Sequence, residues 1–176
     1  MPPLVMKFGG SSLADAACLR QVATLVRAAL PQGPLVVLSA MGKTTNALIA
    51  MARAAEAGDL PGALEAHRAL IRSHRQATEE LFATVPEALD FGLTDLFGSL
   101  EILLRGVGLL RELSPRSLDA VASFGERLST LIFAAYLVHE GLDAALVDAR
   151  TVLRTDAHFG GAEPRRRAEQ VAGIVR

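Results

Sequence analysis

Two short apolar runs, Leu4–Phe8 and Leu35–Leu38, flank a stretch that is apolar along one helical face. This arrangement restricts the fold more than any other feature of the chain. The runs are too short for buried helices and rich in branched residues, so both read as buried strands. Between them, residues 13–30 place Leu19, Val22, Ala23, Val26, Ala29 and Leu30 on one side of a helix, and Pro31-Gln32-Gly33-Pro34 ends it. Strands joined through a helix pair in parallel, with a right-handed crossover. An α/β fold follows, and in such folds ligands bind beyond the carboxyl ends of the strands.

The middle of the chain, about 44–141, reads as helical. Thr44 or Thr45 begins a helix that stops at Gly58, and Pro61 and Pro86 mark the next two helix starts. Leu93, Leu96, Phe97, Leu100, Leu103, Leu104 and Val107 form a stripe at helical spacing, although Gly106, Gly108 and Gly125 weaken the pattern. Ser114-Pro115 has the form of an N-cap followed by proline, and Gly141 is a stop. Ala144–Val147 returns to strand character, residues 148–163 are polar, and Pro164–Arg176 reads as a final helix. With 176 residues, 51% of them hydrophobic and 21% charged, one domain with a real core is expected.

Chemistry concentrates at the expected carboxyl edge. After the first strand come Lys7-Phe8-Gly9-Gly10-Ser11-Ser12, and Asp15 then opens a helix, spaced from Ser12 like a capping box. Glycines at a strand-to-helix junction let an anion reach backbone N–H groups, and Lys7 adds a mobile positive charge. A plain glycine turn is the other reading. The second strand leads into Ser39-Ala40-Met41-Gly42-Lys43-Thr44-Thr45-Asn46. Its Gly-Lys-Thr is not a P-loop, because Val37 holds the position where that motif needs its first glycine. The segment is either a donor-rich helix start suited to a carboxylate or a capped surface turn. In Ser123-Phe124-Gly125-Glu126-Arg127-Leu128-Ser129-Thr130, Gly125 permits close approach and Glu126 projects a carboxylate from apolar surroundings. A surface ion pair is its alternative use.

Several classes are disfavoured. A formal net charge of -1 argues against nucleic acid or an anionic membrane as the main partner, and Arg165-Arg166-Arg167 reads as a solvated helix start. The apolar run near Leu131–Val138 is short of the ~20 residues that cross a bilayer, and no secretory signal is seen, so the cytoplasm is expected. Cys18 is the single cysteine and reads as a core-edge residue. His67 and His74 share a helix face without a third ligand, and His139 and His158 sit in polar company, so no metal site is expected.

Together, the three clusters, followed by Arg154-Thr155-Asp156 and Phe159-Gly160, resemble aspartate kinase in order and spacing. The resemblance implies an amino-acid kinase fold, a three-layer αβα sandwich on a mainly parallel sheet, here incomplete. It also implies transfer of the γ-phosphoryl of ATP, with Mg2+, to the β-carboxylate of L-aspartate. The product, 4-phospho-L-aspartate, begins the route to lysine, threonine and methionine. Carried over by motif, Lys7 neutralises the transferring phosphoryl, and Gly9, Gly10 and Ser11 contact phosphate. Ser39, Thr45 and Glu126 hold aspartate, with Thr45 near a carboxylate and Glu126 on the ammonium group. The chain is expected to be the N-terminal, aspartate-binding part of such a domain, with a helical insert at about 59–113. The nucleotide-binding half and ACT domains are expected to be absent, leaving little activity alone, with homo-oligomers formed by the full-length enzyme. Another amino-acid kinase, or a non-catalytic fragment of the fold, are the competing readings.

Overall fold

The computed structural model describes residues 4–163. β1 (Val5–Phe8) and β2 (Leu35–Leu38) form a two-stranded parallel sheet, with Val5 opposite Leu35 and Lys7 opposite Val37. Between the strands lie a 3-10 turn, Gly10–Leu13, and α1 (Ala16–Ala29). Asp15 caps α1 by accepting from the Cys18 amide at 2.8 Å. The expected pairing of Ser12 with Asp15 as a capping box is not formed: Ser12 is spent in the 3-10 turn, so the cap is Asp15 itself.

The helical middle follows the expected punctuation: α2 (Thr44–Glu56), α3 (Leu60–Leu81), α4 (Glu87–Leu110), α5 (Pro115–Ala122) and α6 (Phe124–His139). Gly58 and Gly141 adopt left-handed backbone at φ 91° and 78°, where a side chain is strained. Gly106 and Gly108 do not interrupt α4, because burial of Leu93, Leu100 and Leu104 outweighs their low propensity. One core joins these helices to one face of the sheet: Met6, Phe8, Val36 and Leu38 pack inward with Leu13, Leu19, Leu48, Leu128, Ile132 and Phe133. The other sheet face carries Val5, Leu35 and Val37, each at least 39% exposed, together with Lys7.

Two expectations change here. The strand expected at Ala144–Val147 is absent: among the described residues this segment joins no ladder, and Leu146 and Val147 stay exposed. Four apolar residues make a strand only when a neighbouring backbone accepts their hydrogen bonds. Among the described residues it is followed by a one-turn helix, α7 (Ala149–Val152). Secondly, Pro115–His139 does contain a window long and apolar enough to cross a membrane, contrary to the short span read from sequence. Half of that window is buried in the protein, and the chain divides into α5 and α6 within it, which is how a core helix behaves. The helix expected at Pro164–Arg176 lies outside the described residues.

The α3–α4 contact is built around two histidines. His67 and His74 are each 2% exposed, and both meet the Phe97 ring edge-on. The His67 Nε2–H donates to the Phe97 carbonyl at 3.1 Å, and the His74 Nδ1–H donates to the Leu70 carbonyl at 3.0 Å. The buried Nε2 of His74 has no partner among the described residues. Burial lowers the pKa of both rings, opposed at His67 by Glu101 and in each case by the carbonyl bond.

A folded pKa below the unfolded value, about 6.5, means that the unfolded chain binds protons first as pH falls. Stability from the neutral rings is complete above about pH 6.5 and is lost as pH drops toward the folded pKa values. Urea midpoints are therefore expected to fall between pH 7.5 and 5.5, and His74→Leu should reduce that slope. Equal wild-type midpoints at the two pH values would contradict this account.

Candidate active site

The carboxyl ends of β1 and β2 lie side by side, and Ser39 extends the ladder by donating from its amide to the Phe8 carbonyl at 3.0 Å. Beyond them the two loops touch backbone to backbone. The Gly42 amide donates to the Gly10 carbonyl at 2.9 Å. A Cβ on Gly10 would stand 2.7 Å from the Gly42 carbonyl oxygen and 3.0 Å from that of Ala40, so only glycine fits. A Cβ on Gly9 would meet nothing within 4 Å, so that side of the turn is open.

The third segment joins through α6. A Cβ on Gly125 would lie 2.6 Å from the Ala40 Cβ, with Leu48 and Thr44 next nearest at 3.4 and 3.5 Å. One turn further on, the Ser129 hydroxyl donates to the Ser39 carbonyl at 2.7 Å. Close packing at Gly125 and a directed hydrogen bond at Ser129 thus fix the start of α6 against the loop between β2 and α2. Glu126, directly after Gly125, is half-buried and forms no ion pair among the described residues. The expected alternative, surface ion pairs tying up Glu126 and Arg127, does not form among the described residues: the Arg127 guanidinium lies over the Phe124 ring at 4.5 Å. Burial lowers the Arg127 pKa, and Arg150 adds to this while Asp148 and Asp95 oppose it.

The start of α2 also separates its two readings. Lys43 occupies the N-cap position and its side chain makes no capping bond, so the first amides of α2 have no side-chain acceptor. Thr44 is buried, Thr45 is half-buried, and Lys43 is exposed. Ser39 is half-buried behind this turn, whereas Lys7 and Ser11 are exposed. Among the described residues, no group of three His, Cys, Asp or Glu side chains could hold a metal ion.

Two open depressions flank the junction. One, about 430 Å³, lies between the start of α2 and α3, and its lining includes Lys43, Thr44, Ser73 and His74. It does not take in Lys7, Thr45 or Glu126. The other, about 400 Å³, is lined by Arg116, Asp119, Ser123, Phe124, Arg127, Arg150 and Phe159. The loop after α7 closes over it: the Gly160 amide donates to Asp119 Oδ2 at 2.7 Å, and Arg116 lies 5.8 Å from the Phe159 ring centre. Arg150 is held by Asp148, whose pKa is lowered to about 2 chiefly by that hydrogen bond. The grouping of Arg116, Arg127 and Arg150 escapes a reading of the sequence, which offers only the hint of an arginine next to Glu126.

Comparison with known proteins identifies the family. A family model described as the amino acid kinase family matches residues 2–174. Aspartokinase 1, chloroplastic, of Arabidopsis thaliana is 40% identical over 147 residues, covering 82% of this chain and 25% of its own length. Lysine-sensitive aspartokinase 3 of Escherichia coli strain K12 is 34% identical over 161 residues, covering 92% of this chain and 34% of its own length. The crystal structure of E. coli aspartokinase III in complex with aspartate and ADP superposes with a TM-score of 0.83 at 33% identity. That superposition covers 93% of this chain and 35% of the other. The chain therefore spans about a quarter to a third of the length of these relatives.

Gly125→Ala tests the junction itself. Overpacking against Ala40 is expected to lower stability by about 1–2 kcal/mol in urea denaturation, net of the helix propensity that alanine gains. Ala40→Gly in the same background removes the clashing atom and should recover part of the loss. A single variant as stable as wild type would mean that the α6 start shifts freely and is not fixed.

Proposed function

Because the chain belongs to the amino acid kinase family, we propose that it supplies the aspartate-binding half of an aspartate kinase. In that reaction the γ-phosphoryl of ATP passes to the β-carboxylate of L-aspartate, giving ADP and 4-phospho-L-aspartate. The observation that carries this reading is the meeting of three segments at the carboxyl edge, joined by the Gly10–Gly42 and Gly125–Ala40 approaches and the Ser129–Ser39 bond. The solved relative of 0.83 TM-score was crystallised with aspartate and ADP, which favours the same pair of ligands here.

The roles follow from charge. Both reactants are anionic at the atoms that must meet, so donors and cations are needed where they approach. Lys7 is assigned to the transferring phosphoryl. Gly9, Gly10 and Ser11 are assigned to the phosphate chain, with the open side of Gly9 leaving room for an oxygen to reach the backbone. Thr45 and the uncapped amides of α2 suit a carboxylate of aspartate. Ser39 supports that turn, and Glu126, free of an ion pair, suits the substrate ammonium. Among the described residues no cluster of three His, Cys, Asp or Glu side chains would cage a metal, and a Mg2+ in this reaction, which commonly binds through few carboxylates and the substrate phosphates, would enter with the nucleotide. The domain assignment is that residues 1–176 are the N-terminal part of the kinase domain, with about 59–113 as a helical insert. Soluble substrates of this kind fit a cytoplasmic enzyme.

Calorimetric titration of L-aspartate into the chain is expected to show saturable binding that Glu126→Gln weakens about tenfold or more, the scale of one charge-assisted hydrogen bond. Glutamate and N-acetylglutamate should bind less well. Equal aspartate affinity in wild type and variant would remove Glu126 from the site. In an assembled kinase containing this segment, Lys7→Ala is expected to lower kcat by about a hundredfold or more, as for loss of a key electrostatic donor. Near-normal turnover would remove Lys7 from the phosphoryl path.

A further inference from the structure

α5, α6 and α7 each contribute one arginine, Arg116, Arg127 and Arg150, to the lining of a single depression of about 400 Å³. None of the residues assigned to the kinase reaction lines it. Against these three arginines the lining sets one carboxylate, Asp119, and positive charge remains in excess even when Asp148, which holds Arg150, is counted. Like charges gathered around a small volume repel, more strongly where burial removes water. Arg127 shows the effect. It is half-buried, burial lowers its pKa, and the neighbouring Arg150 lowers it further. Asp148 and Asp95 oppose the shift through space, yet neither forms an ion pair with Arg127.

The donors of these arginines are largely unspent. Among the described residues neither the Arg116 nor the Arg127 guanidinium forms an ion pair or a hydrogen bond. Each lies against an aromatic ring instead, Arg116 at 5.8 Å from the Phe159 centre and Arg127 at 4.5 Å from that of Phe124. Arg150 gives Nε and Nη2 to Asp148 and keeps Nη1. A guanidinium carries five N–H donors, so most donors around this depression face no acceptor. The rings and Asp148 hold the guanidinium planes in position, and the Gly160–Asp119 bond holds the loop that carries Phe159. An anion entering here meets donors that are already oriented, which lowers the ordering cost of binding.

The arrangement of donors selects among anions. A carboxylate presents two oxygens in one plane and is satisfied by one guanidinium fork. Cations arriving from three separate helices match a group with three terminal oxygens and a charge near two, which is a phosphate monoester. Leu103 and Ala120 add apolar wall, and the volume is in the range of small-molecule sites, so the organic part of the ester has a place as well. We propose that this depression binds the phosphate of a small phosphomonoester through Arg116, Arg127 and Arg150, separately from the kinase site.

Calorimetric titration of phenyl phosphate into the whole chain at fixed ionic strength tests this, with benzoate as the planar, singly charged counterpart. Phenyl phosphate is expected to saturate one site and to bind at least about tenfold more tightly than benzoate. Arg116→Gln and Arg127→Gln should each weaken it about tenfold or more, the scale of one charge-assisted hydrogen bond. Arg116 is exposed, so the melting temperature of its variant, followed by circular dichroism, should match wild type. Lys7→Ala should leave the affinity for phenyl phosphate unchanged, which separates this site from the kinase site whatever the fate of the aspartate assignment. No binding by the wild type, equal affinity for benzoate, or unchanged affinity in either arginine variant would overturn the proposal. Binding lost in Lys7→Ala would place the phosphate at the end of β1 and overturn it too.

Discussion

Backbone approach without intervening side chains is the constraint on which this structure depends. At Gly10 the neighbouring carbonyls of Gly42 and Ala40 leave no room for a Cβ, and at Gly125 the methyl of Ala40 does the same. Ala40 is therefore the common neighbour of both contacts, itself only 2% exposed. A short loop after β2 is clamped from one side by the turn after β1 and from the other by α6. Hydrogen bonds then fix direction where packing alone would allow sliding: Gly42 to Gly10 on one flank, and Ser129 to Ser39 on the other. Packing and polar satisfaction agree at one small volume, which is how a functional constellation is held to sub-ångström tolerance.

That junction also explains why so much helix surrounds so little sheet. Two four-residue strands cannot bury enough apolar surface to be stable alone. Their inward face, Met6, Phe8, Val36 and Leu38, is supplemented by α1, α2 and α6, whose buried residues form one continuous core with it. α3 and α4 extend the same core outward through Leu70, Ala77, Leu81 and Phe97. Distant ties add little energy and much orientation: Arg20 donates to the Glu80 carbonyl, and Arg27 reaches Glu140 at 3.2 Å. The second is an exposed ion pair, worth about 1 kcal/mol or less. Apolar burial holds the helices; these contacts choose among nearby arrangements.

Local signals in the chain were reliable wherever one physical effect dominated. The breaker Pro31-Gln32-Gly33-Pro34, the cap at Ser114-Pro115 and the stops at Gly58 and Gly141 sit where the structure has them, because φ restriction and capping need no tertiary partner. The βαβ start was equally legible, since strand–helix–strand connectivity admits few arrangements. Ala144–Val147 misled because apolar pattern reports the capacity to form a strand, while a ladder also needs a neighbour. Pro115–His139 misled in the opposite direction: polar residues such as Glu126 and Arg127 leave only short uninterrupted apolar runs, yet the average over a longer window stays apolar. Within the candidate site, Gly125 announces close approach, whereas Gly10 reads as room for an anion and its Cβ position faces the Gly42 and Ala40 carbonyls. The identity of what approaches, Gly42 and Ala40, is a matter of tertiary geometry. The cluster of Arg116, Arg127 and Arg150 comes from three separate elements and carries no sequence pattern at all.

The cations around the junction divide into two kinds, and the division bears on the proposed chemistry. Arg127 and Arg150 are tied down, one over the Phe124 ring and the other by two oxygens of Asp148. Planar guanidinium groups held in this way act as fixed fields and walls, poorly suited to following a group that moves. Lys7 and Lys43 are exposed and have no carboxylate partner among the described residues. A lysine ammonium is a point charge on a flexible stem, able to stay with a phosphoryl group as it leaves one oxygen and joins another. Lys7 has its backbone locked in the parallel ladder opposite Val37, so the flexibility lies in the side chain alone. In the proposed transfer, a fixed anchor with a mobile charge lowers the cost of bringing two anions together without surrendering their alignment. An arginine at position 7 would keep the charge and lose that tracking, so charge alone does not define what this strand end contributes.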